Sequence, residues 1–220
     1  MQGTMEATVH DTAPRQASGM RLRELVYLIT WDWRMNRGLS FDQLRAILLL
    51  IEVRLEQYIY QAWQRRPGPL LTILWYFVRF VGSIYQWLLC NSNIPGSVRI
   101  GRGLRLPHPQ NIIIACNADI GEFCIIYHNV SIAWNGFRPM IPSSPKIGNQ
   151  VLIGNGAIVI GEITVGDNVL IGAGAIVAKS VPSCSRVVTA PVDIAPRSPS
   201  AQAAEAGSPR HIQDPYSIWR

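Results

Sequence analysis

Aliphatic residues recur at every sixth position through the second half of the chain. A period of six fits neither an amphipathic helix nor an alternating strand. It is typical of a parallel β-helix, in which three six-residue edges make one triangular coil and the aliphatic residue fills the interior. Thirteen positions keep this step in three runs, which predicts a little over four coils: Ile94, Ile100, Leu106; Ile114, Ile120, Ile126, Ile132; and Ile147, Ile153, Val159, Val165, Ile171, Val177.

Small residues accompany the repeat. Glycine directly follows several of the aliphatic positions, and we expect it to let the backbone turn each corner of the coil: Gly148, Gly154, Gly166 and Gly172. The residues two places before each aliphatic position are mostly compact and apolar, as a narrow prism requires. Cys124 occupies one of these positions and is predicted to pack in the core. The alternative is a chance run inside an ordinary β-rich domain.

Helical spacing replaces the six-residue period in the first half of the chain. Apolar residues predict one helix from Arg21 to about Gly38, and a second that Ser40 caps and that closes near Arg65. The next segment, Leu70 to Cys90, has 21 residues and one charge, Arg79. Its length could span a bilayer, but a charge at its middle opposes that. A helix packed on the second helix and on neighbouring subunits is favoured over an in-plane membrane anchor and over a true span.

The sequence therefore predicts a mainly β fold, a parallel β-helix preceded by an α-helical region. We divide it into a disordered lead-in (1–19), a helical region (20–92), the β-helix (93–195) and a disordered tail (196–220). Val181 and Pro182 are expected to end the regular coils, and an apolar patch after them, 187–194, to fold back on the last coil.

The composition indicates which kinds of partner the protein binds and in which cellular compartment it lies. The formal charge is +6, and only two of the twenty basic residues are lysines. The arginines are scattered and no nucleic-acid motif is present, so anionic ligands or an anionic membrane surface suit the charge better than nucleic acid. Four cysteines without paired spacing favour a reducing compartment and give no zinc site. The first twenty residues lack an apolar signal region. We expect a cytoplasmic protein, with the inner face of the membrane as a further location.

Two histidines are candidates for acid–base chemistry. His108 follows the aliphatic position Leu106 by two residues, inside a proline-flanked insertion, and His128 follows Ile126 by two. These positions are one complete coil apart, so the two imidazoles are predicted to share a column, about 4.8 Å apart along the strand-stacking direction. An imidazole suits removal of a proton from an acceptor hydroxyl. The alternative is that both are incidental surface histidines.

The chain resembles a known family through three stretches: IGRGLRLPH, the six-residue repeats and the block PKIGNQVLIGNGAIVIGEITVGDNVLIGAGAIVAKSVP. They are similar to the serine acetyltransferase branch of the hexapeptide-repeat acyltransferases, and most similar to its relatives in exopolysaccharide synthesis, the colanic acid acetyltransferases. The resemblance implies a left-handed prism, acetyl-CoA as donor, no metal, and a homotrimer, or two stacked trimers, with active sites between subunits.

The same resemblance implies roles for individual residues. His108 matches the base of the family, His128 matches a histidine of the polysaccharide relatives, and the insertion 133–146 matches a loop that closes over the site. The acceptor is expected to contact Asn93, Trp134, Asn135 and Arg138. The coenzyme is expected to contact Gly136, Gly154, Gly172, Ala173, Gly174 and Lys179.

Departures from the family pattern bear on the acceptor. Pro107 stands where serine acetyltransferases have Asp, Asn93 stands where they have the Asp that supports the base, and Ser143 and Ser144 replace an Arg-His pair. Those groups would hold a zwitterionic amino acid. The sequence therefore predicts an O-acetyltransferase acting on a sugar hydroxyl of an exopolysaccharide or lipid-linked precursor. The alternatives are serine O-acetylation in cysteine synthesis and a non-catalytic scaffold. Loss of the orienting carboxylate also leaves open a weakened or inactive enzyme.

Overall fold

The structure is a computed structural model that describes residues 20–134 and 144–189. In these residues three α-helices precede twelve short strands. The helices are α1 (Leu22–Asn36), α2 (Phe41–Arg65) and α3 (Pro69–Tyr85), which continues into a π-helical turn (Gln86–Cys90). The strands are β1 (Arg99–Ile100), β2 (Ile113–Ile114), β3 (Asp119–Ile120), β4 (Ile125–Ile126), β5 (Ser131–Ala133), β6 (Lys146–Ile147), β7 (Leu152–Ile153), β8 (Ile158–Ile160), β9 (Thr164–Val165), β10 (Leu170–Ile171), β11 (Ile176–Val177) and β12 (Arg186–Val187).

The strands stack into three parallel sheets of four, ordered β1-β3-β6-β9, β4-β7-β10-β12 and β2-β5-β8-β11. Each strand pairs with the one that follows after a full circuit of the three sheets. Ile120 pairs directly with Ile147, so the long insertion between β5 and β6 leaves the stacking of the coils uninterrupted. The predicted parallel β-helix, preceded by helices, is confirmed.

The interior of the β-helix is the column of aliphatic residues that the six-residue period predicts. All thirteen positions are buried, and the most exposed of them, Ile100, is only 7% exposed. The compact positions two residues earlier are buried as well, including Cys124. Burial raises the pKa of the Cys124 thiol to about 11, so it stays protonated and inert as core packing. All four cysteines are free.

Glycine has a different purpose in the coils from the predicted one. The left-handed backbone of the corners lies three residues before the aliphatic position, for example at Asn111 and Asn129, with φ of 54° and 57°. Asparagine tolerates this conformation better than most residues. Gly154, by contrast, is needed because successive coils approach closely there: a Cβ atom would lie 2.6 Å from the Ala173 nitrogen. The expectation that the glycine after the aliphatic residue turns the corner was wrong.

The coils also extend further than expected. Val181 forms a parallel bridge with Val165, and β12 pairs with β10 so that Val187 lies beside Ile171. The prediction that the regular coils end at Val181 was wrong. The residues after 189, like the lead-in before residue 20, lie outside the described residues.

The second helix begins as predicted and connects the other two. Ser40 and Gln43 form a capping box, in which the Ser40 hydroxyl accepts from the Gln43 N–H and the Gln43 side chain accepts from the Ser40 N–H. Helices α1 and α3 both pack against α2. The packing of α3 on α2 confirms that part of the prediction and includes Trp63 and Trp75, stacked with ring centroids 5.1 Å apart.

A buried polar network joins the helices to the start of the β-helix. Arg54 of α2 is fully buried, donates to Asp32 of α1 at 2.8 Å, and also donates to the carbonyl oxygens of Ile100 and Gly101, each at 2.6 Å. The Asp32 carboxylate also accepts from two backbone N–H groups, Gly103 among them. These bonds fix the segment that leads into the first insertion of the β-helix.

Candidate active site

His108 lies at the junction of the β-helix and the N-terminus of α2. Its backbone follows Leu106, whose N–H donates to the side chain of Asn36 at 2.9 Å. Its imidazole is 54% exposed, and Nδ1 lies 2.8 Å from the Asp42 Oδ2 atom. Because an ionised carboxylate can only accept a hydrogen bond, Nδ1 carries the hydrogen and Nε2 is the free base nitrogen. The geometry is that of a base oriented by a carboxylate.

The orienting carboxylate contradicts one expectation from the sequence. Asn93 was expected to stand in place of this group, which would leave the base without support. The Asn93 side chain instead accepts from Arg79 at 3.4 Å, and Asp42 reaches His108 from a different element, helix α2. The predicted loss of the orienting carboxylate was therefore wrong. Asn93 has no contact with either histidine among the described residues.

His128 shares a column with His108, as the one-coil spacing predicts. The two ring centroids are 5.7 Å apart and the ring planes are nearly perpendicular, at 83°. The Nδ1 atom of His128 is buried and has no hydrogen-bond partner among the described residues. Leaving such a nitrogen unpaired costs about 1–3 kcal/mol, and a bound substrate or water that hydrogen-bonds to it would remove this cost. Both rings therefore offer an unpaired nitrogen.

A small polar cavity is lined in part by Gln110 and Asn129, which follow His108 and His128 in the sequence by two residues and by one; neither histidine is part of its lining. Its volume is about 190 Å³, which is below the roughly 300–1,000 Å³ of sites for drug-sized ligands, so it fits a small acceptor or one end of a larger one. Arg45 contributes a buried Nε without a partner among the described residues and also contacts Asp42 at 3.4 Å. The remaining lining combines four neutral amides with two leucines and a cysteine: Asn91, Gln110, Asn111, Asn129, Leu88, Leu89 and Cys90.

The other predicted acceptor contacts are only partly described. Trp134 is 41% exposed and is the last described residue before the gap in the long insertion. Asn135, Gly136 and Arg138 lie outside the described residues, so their predicted roles stay predictions. Ser144, where the family has part of a charged pair, instead donates its hydroxyl to the Cys116 carbonyl at 2.5 Å.

The predicted coenzyme residues lie on the late coils, where most backbone N–H groups are already used. Gly154, Gly172 and Gly174 donate to carbonyl oxygens of neighbouring coils at 2.8, 2.8 and 2.9 Å. Among the described residues no carbonyl accepts from Ala173, so its N–H remains available to a ligand. Lys179 is exposed and has no ion-pair partner in the same part of the chain. Ala173 and Lys179 therefore fit a phosphorylated coenzyme better than the glycines do.

Sequence reasoning missed Asp42 and Arg45. Acidic residues are common in the first turn of a helix because they complement the helix dipole. Nothing in the sequence therefore distinguished Asp42 as a site residue. Arg45 reads as one of many arginines on an amphipathic helix. Only the three-dimensional packing of α2 against the first insertion brings them to the histidines. The described residues contain no cluster of three or more His, Cys, Asp or Glu suited to a metal ion.

Comparison with known proteins defines the class of this architecture first. Residues 144–179 match the family model for the bacterial transferase hexapeptide, a unit of six repeats. This part of the β-helix is therefore similar to hexapeptide-repeat transferases, and the further similarities are to one kind of such enzyme.

The named relatives are serine acetyltransferases. The chain is 36% identical over 104 residues to the serine acetyltransferase of Synechococcus elongatus, which covers 47% of this chain and 42% of that protein. It is 42% identical over 97 residues to the chloroplastic serine acetyltransferase 1 of Arabidopsis thaliana, covering 44% of this chain and 30% of that protein. The chain thus spans less than half the length of these two relatives.

A solved structure extends the similarity to the helices. The serine acetyltransferase of Brucella abortus, in complex with coenzyme A, aligns with a TM-score of 0.65 and 26% identity over 77% of this chain and 67% of that one. The relatives named here do not include an exopolysaccharide acetyltransferase. The resemblance to hexapeptide-repeat acyltransferases of the serine acetyltransferase branch is supported; the closer likeness to colanic acid enzymes remains a prediction.

Proposed function

We propose that the chain is an acetyl-CoA-dependent O-acetyltransferase in which His108 removes the proton of an acceptor hydroxyl. The observation that carries this proposal is the 2.8 Å contact between the imidazole and Asp42. It leaves Nε2 as the base and holds the ring in one orientation. As the proton moves to His108, the ring becomes positively charged, and the adjacent carboxylate stabilises that charge.

When bound, acetyl-CoA would supply the acetyl group as an activated thioester. Support for this donor comes from the coenzyme A complex of the Brucella abortus relative and from the fit of the late coils. Ala173 has a free backbone N–H among the described residues, and a hydrogen bond from such a group to the carbonyl oxygen would stabilise the negative charge that develops there. Lys179 would meet a phosphate of the coenzyme.

As acceptor we propose serine first, which reverses the preference drawn from the sequence. The relatives named above are serine acetyltransferases. A zwitterion needs a cation for its carboxylate and an anion for its ammonium group. Arg45 lines the cavity, and Asp42, which is not part of the lining, forms an ion pair with Arg45 at 3.4 Å. Arg45 and Asp42 would then replace the charged groups that serine acetyltransferases have where this chain has Pro107, Ser143 and Ser144.

A sugar hydroxyl of an exopolysaccharide or lipid-linked precursor is the second candidate acceptor. The observation in its favour is the set of neutral amides that lines the cavity: Asn91, Gln110, Asn111 and Asn129. Amides donate and accept hydrogen bonds without charge, which suits several neutral hydroxyls.

We also propose self-association through one sheet of the β-helix. The outward positions of β2, β5, β8 and β11 stack in one column, Ile113, Ser131, Ile158 and Ile176, and Ile176 is 70% exposed. An apolar column of this kind is typical of a subunit contact, in keeping with the expected homotrimer. A single-chain molar mass by light scattering would contradict this.

The proposed activity is tested by following free thiol release from acetyl-CoA with serine and, separately, with a panel of sugars. We expect release with serine, and its loss in the His108→Ala variant. Release with a sugar alone would assign the second acceptor. No release with any acceptor, together with full function of His108→Ala in cells, would indicate a non-catalytic scaffold.

A further inference from the structure

The outward face of α3 and its π-helical extension is apolar along its whole length. Every exposed residue between 69 and 89 is a hydrocarbon or aromatic side chain. At 1.5 Å per residue this face is about 30 Å long. Its members are Pro69, Leu70, Ile73, Leu74, Tyr76, Phe77, Phe80, Val81, Ile84, Trp87, Leu88 and Leu89. We call this set the α3 face. Large exposed apolar patches of this kind mark sites of interaction.

The charged and amide side chains of the same stretch, Arg79 and Gln86, bond to the body of the protein. Arg79 contacts the Glu56 carboxylate of α2 at 3.3 Å, and the Ser83 hydroxyl donates to the Arg79 carbonyl at 2.7 Å. Gln86 exchanges two hydrogen bonds with the backbone of Ile94, at 2.7 and 3.2 Å. These contacts hold α3 along its length to α2 and to the first coil of the β-helix.

This anchoring excludes a transmembrane orientation in the described fold. The helix from Pro69 to Cys90 is long and apolar enough to cross a membrane, and only 17% of its most apolar window is buried. However, crossing would carry the Arg79–Glu56 ion pair, with the part of α2 that bears Glu56, into hydrocarbon, where charged side chains are costly. A helix held to the body along one side can lie only in the plane of a membrane surface.

The chemistry of the α3 face favours lipid over a protein partner. A protein interface usually carries about one hydrogen bond per 100–200 Å². The α3 face offers only the Tyr76 hydroxyl and the Trp87 indole N–H, and these two residue types are the ones enriched at membrane–water boundaries. Just before its N-terminal end stands the exposed Arg66, which complements anionic head groups, in a chain of formal charge +6.

We propose that the α3 face binds an anionic membrane surface, with the helix lying in the plane of the interface and the apolar side chains of residues 69–87 among the lipid tails. The active-site histidines lie on the β-helix and remain in water. This places the transfer reaction beside the membrane and is independent of which acceptor is used.

The test is co-sedimentation of the full chain with vesicles of phosphatidylcholine alone or mixed with phosphatidylglycerol. We expect strong binding to the mixed vesicles. Phe77→Glu with Phe80→Glu should lower the partition ratio at least about tenfold, because two charges replace inserted apolar rings. Arg66→Gln should lower binding to the mixed vesicles about fivefold and leave binding to neutral vesicles unchanged.

The matched control is Val26→Glu, which places the same charge on an exposed apolar position of α1 that is 57% exposed. It should retain vesicle binding, and circular dichroism should show all variants folded. Absence of vesicle binding by the unaltered chain, or an equal loss in Val26→Glu, would overturn the proposal. So would a lipid-free oligomer that dissociates only in the Phe77→Glu, Phe80→Glu variant, since a second copy would then occupy the α3 face.

Discussion

The pairing of His108 with Asp42 joins residues that are 66 positions apart in the chain. The sequence predicted the proximity of His108 to His128 from the count of residues around a coil, and the resemblance to the acyltransferase family implied that His108 is the base. It could not predict Asp42, since that contact depends on how the end of α2 meets the first insertion. Site residues that lie on the repeats can thus be predicted from the sequence, whereas a site residue that comes from a neighbouring helix cannot.

Asp42→Asn tests the orienting role of this carboxylate. The substitution keeps the shape of the side chain but removes the charge that favours one orientation and one tautomer of the imidazole. We expect kcat to fall by on the order of 10² to 10⁴ while KM for acetyl-CoA stays within about twofold. Steady-state kinetics of thiol release measure both. Asp119→Asn, which alters an exposed acid paired with Arg99, is the control and should keep full kcat.

At the level of elements, the six-residue period located eleven of the strands and all thirteen buried aliphatic positions. A regular prism repeats one local environment, so spacing alone fixes which side chain points inward. The sequence correctly predicted that glycines accompany the aliphatic positions, but the predicted reason, that they turn the corners of the coil, was wrong. The close approach between coils joins residues about eighteen positions apart, so the neighbouring sequence does not predict it. The left-handed backbone at Asn111 and Asn129 depends only on the residue at that position, since asparagine tolerates this conformation.

The contact between α2 and α3 should make stability depend on pH through Glu52. This carboxyl is largely buried against Gly82, accepts one bond from Gln86 at 2.8 Å, and has a second oxygen without a partner among the described residues. Burial raises its pKa from 4.5 to about 7. The folded state therefore holds a proton that the unfolded state has lost between these two values.

The free energy of unfolding is expected to fall as pH rises from about 4.5 to about 7, by roughly 3 kcal/mol at most. Glu52→Gln keeps the acceptor for Gln86 and removes the titration, so this part of the pH dependence should disappear and the variant should be more stable than the unaltered chain at pH 8. Urea unfolding at several pH values measures this. An unchanged pH dependence in the variant would contradict the assignment to Glu52.

At the scale of the whole molecule, the helices and the β-helix are joined through the buried Arg54 network rather than through apolar packing alone. The sequence predicted two neighbouring regions, 20–92 and 93–195, without this link. Arg54 and Asp32 lie on helices whose pattern shows only that they are amphipathic. A buried arginine is recognisable only once the carbonyl oxygens of Ile100 and Gly101 are seen to accept from it.

Arg54→Met is expected to destabilise the chain by about 3–5 kcal/mol, because it leaves the Asp32 carboxylate buried without its cation. Arg99→Met removes an exposed arginine that also pairs with an aspartate, and should cost no more than about 1 kcal/mol. Guanidinium unfolding of both variants gives the comparison. Equal losses would indicate that the buried network does not hold the two regions together.

The most direct test of the whole account is the rate of free thiol release from acetyl-CoA in the presence of serine, for the unaltered chain and for His108→Ala. His211→Ala, the same change outside the described residues, is the matched control. The account predicts release by the unaltered chain and the control, and a rate lower by on the order of 10² to 10⁴ in His108→Ala. Release that is equally fast in His108→Ala would contradict the assignment of the base.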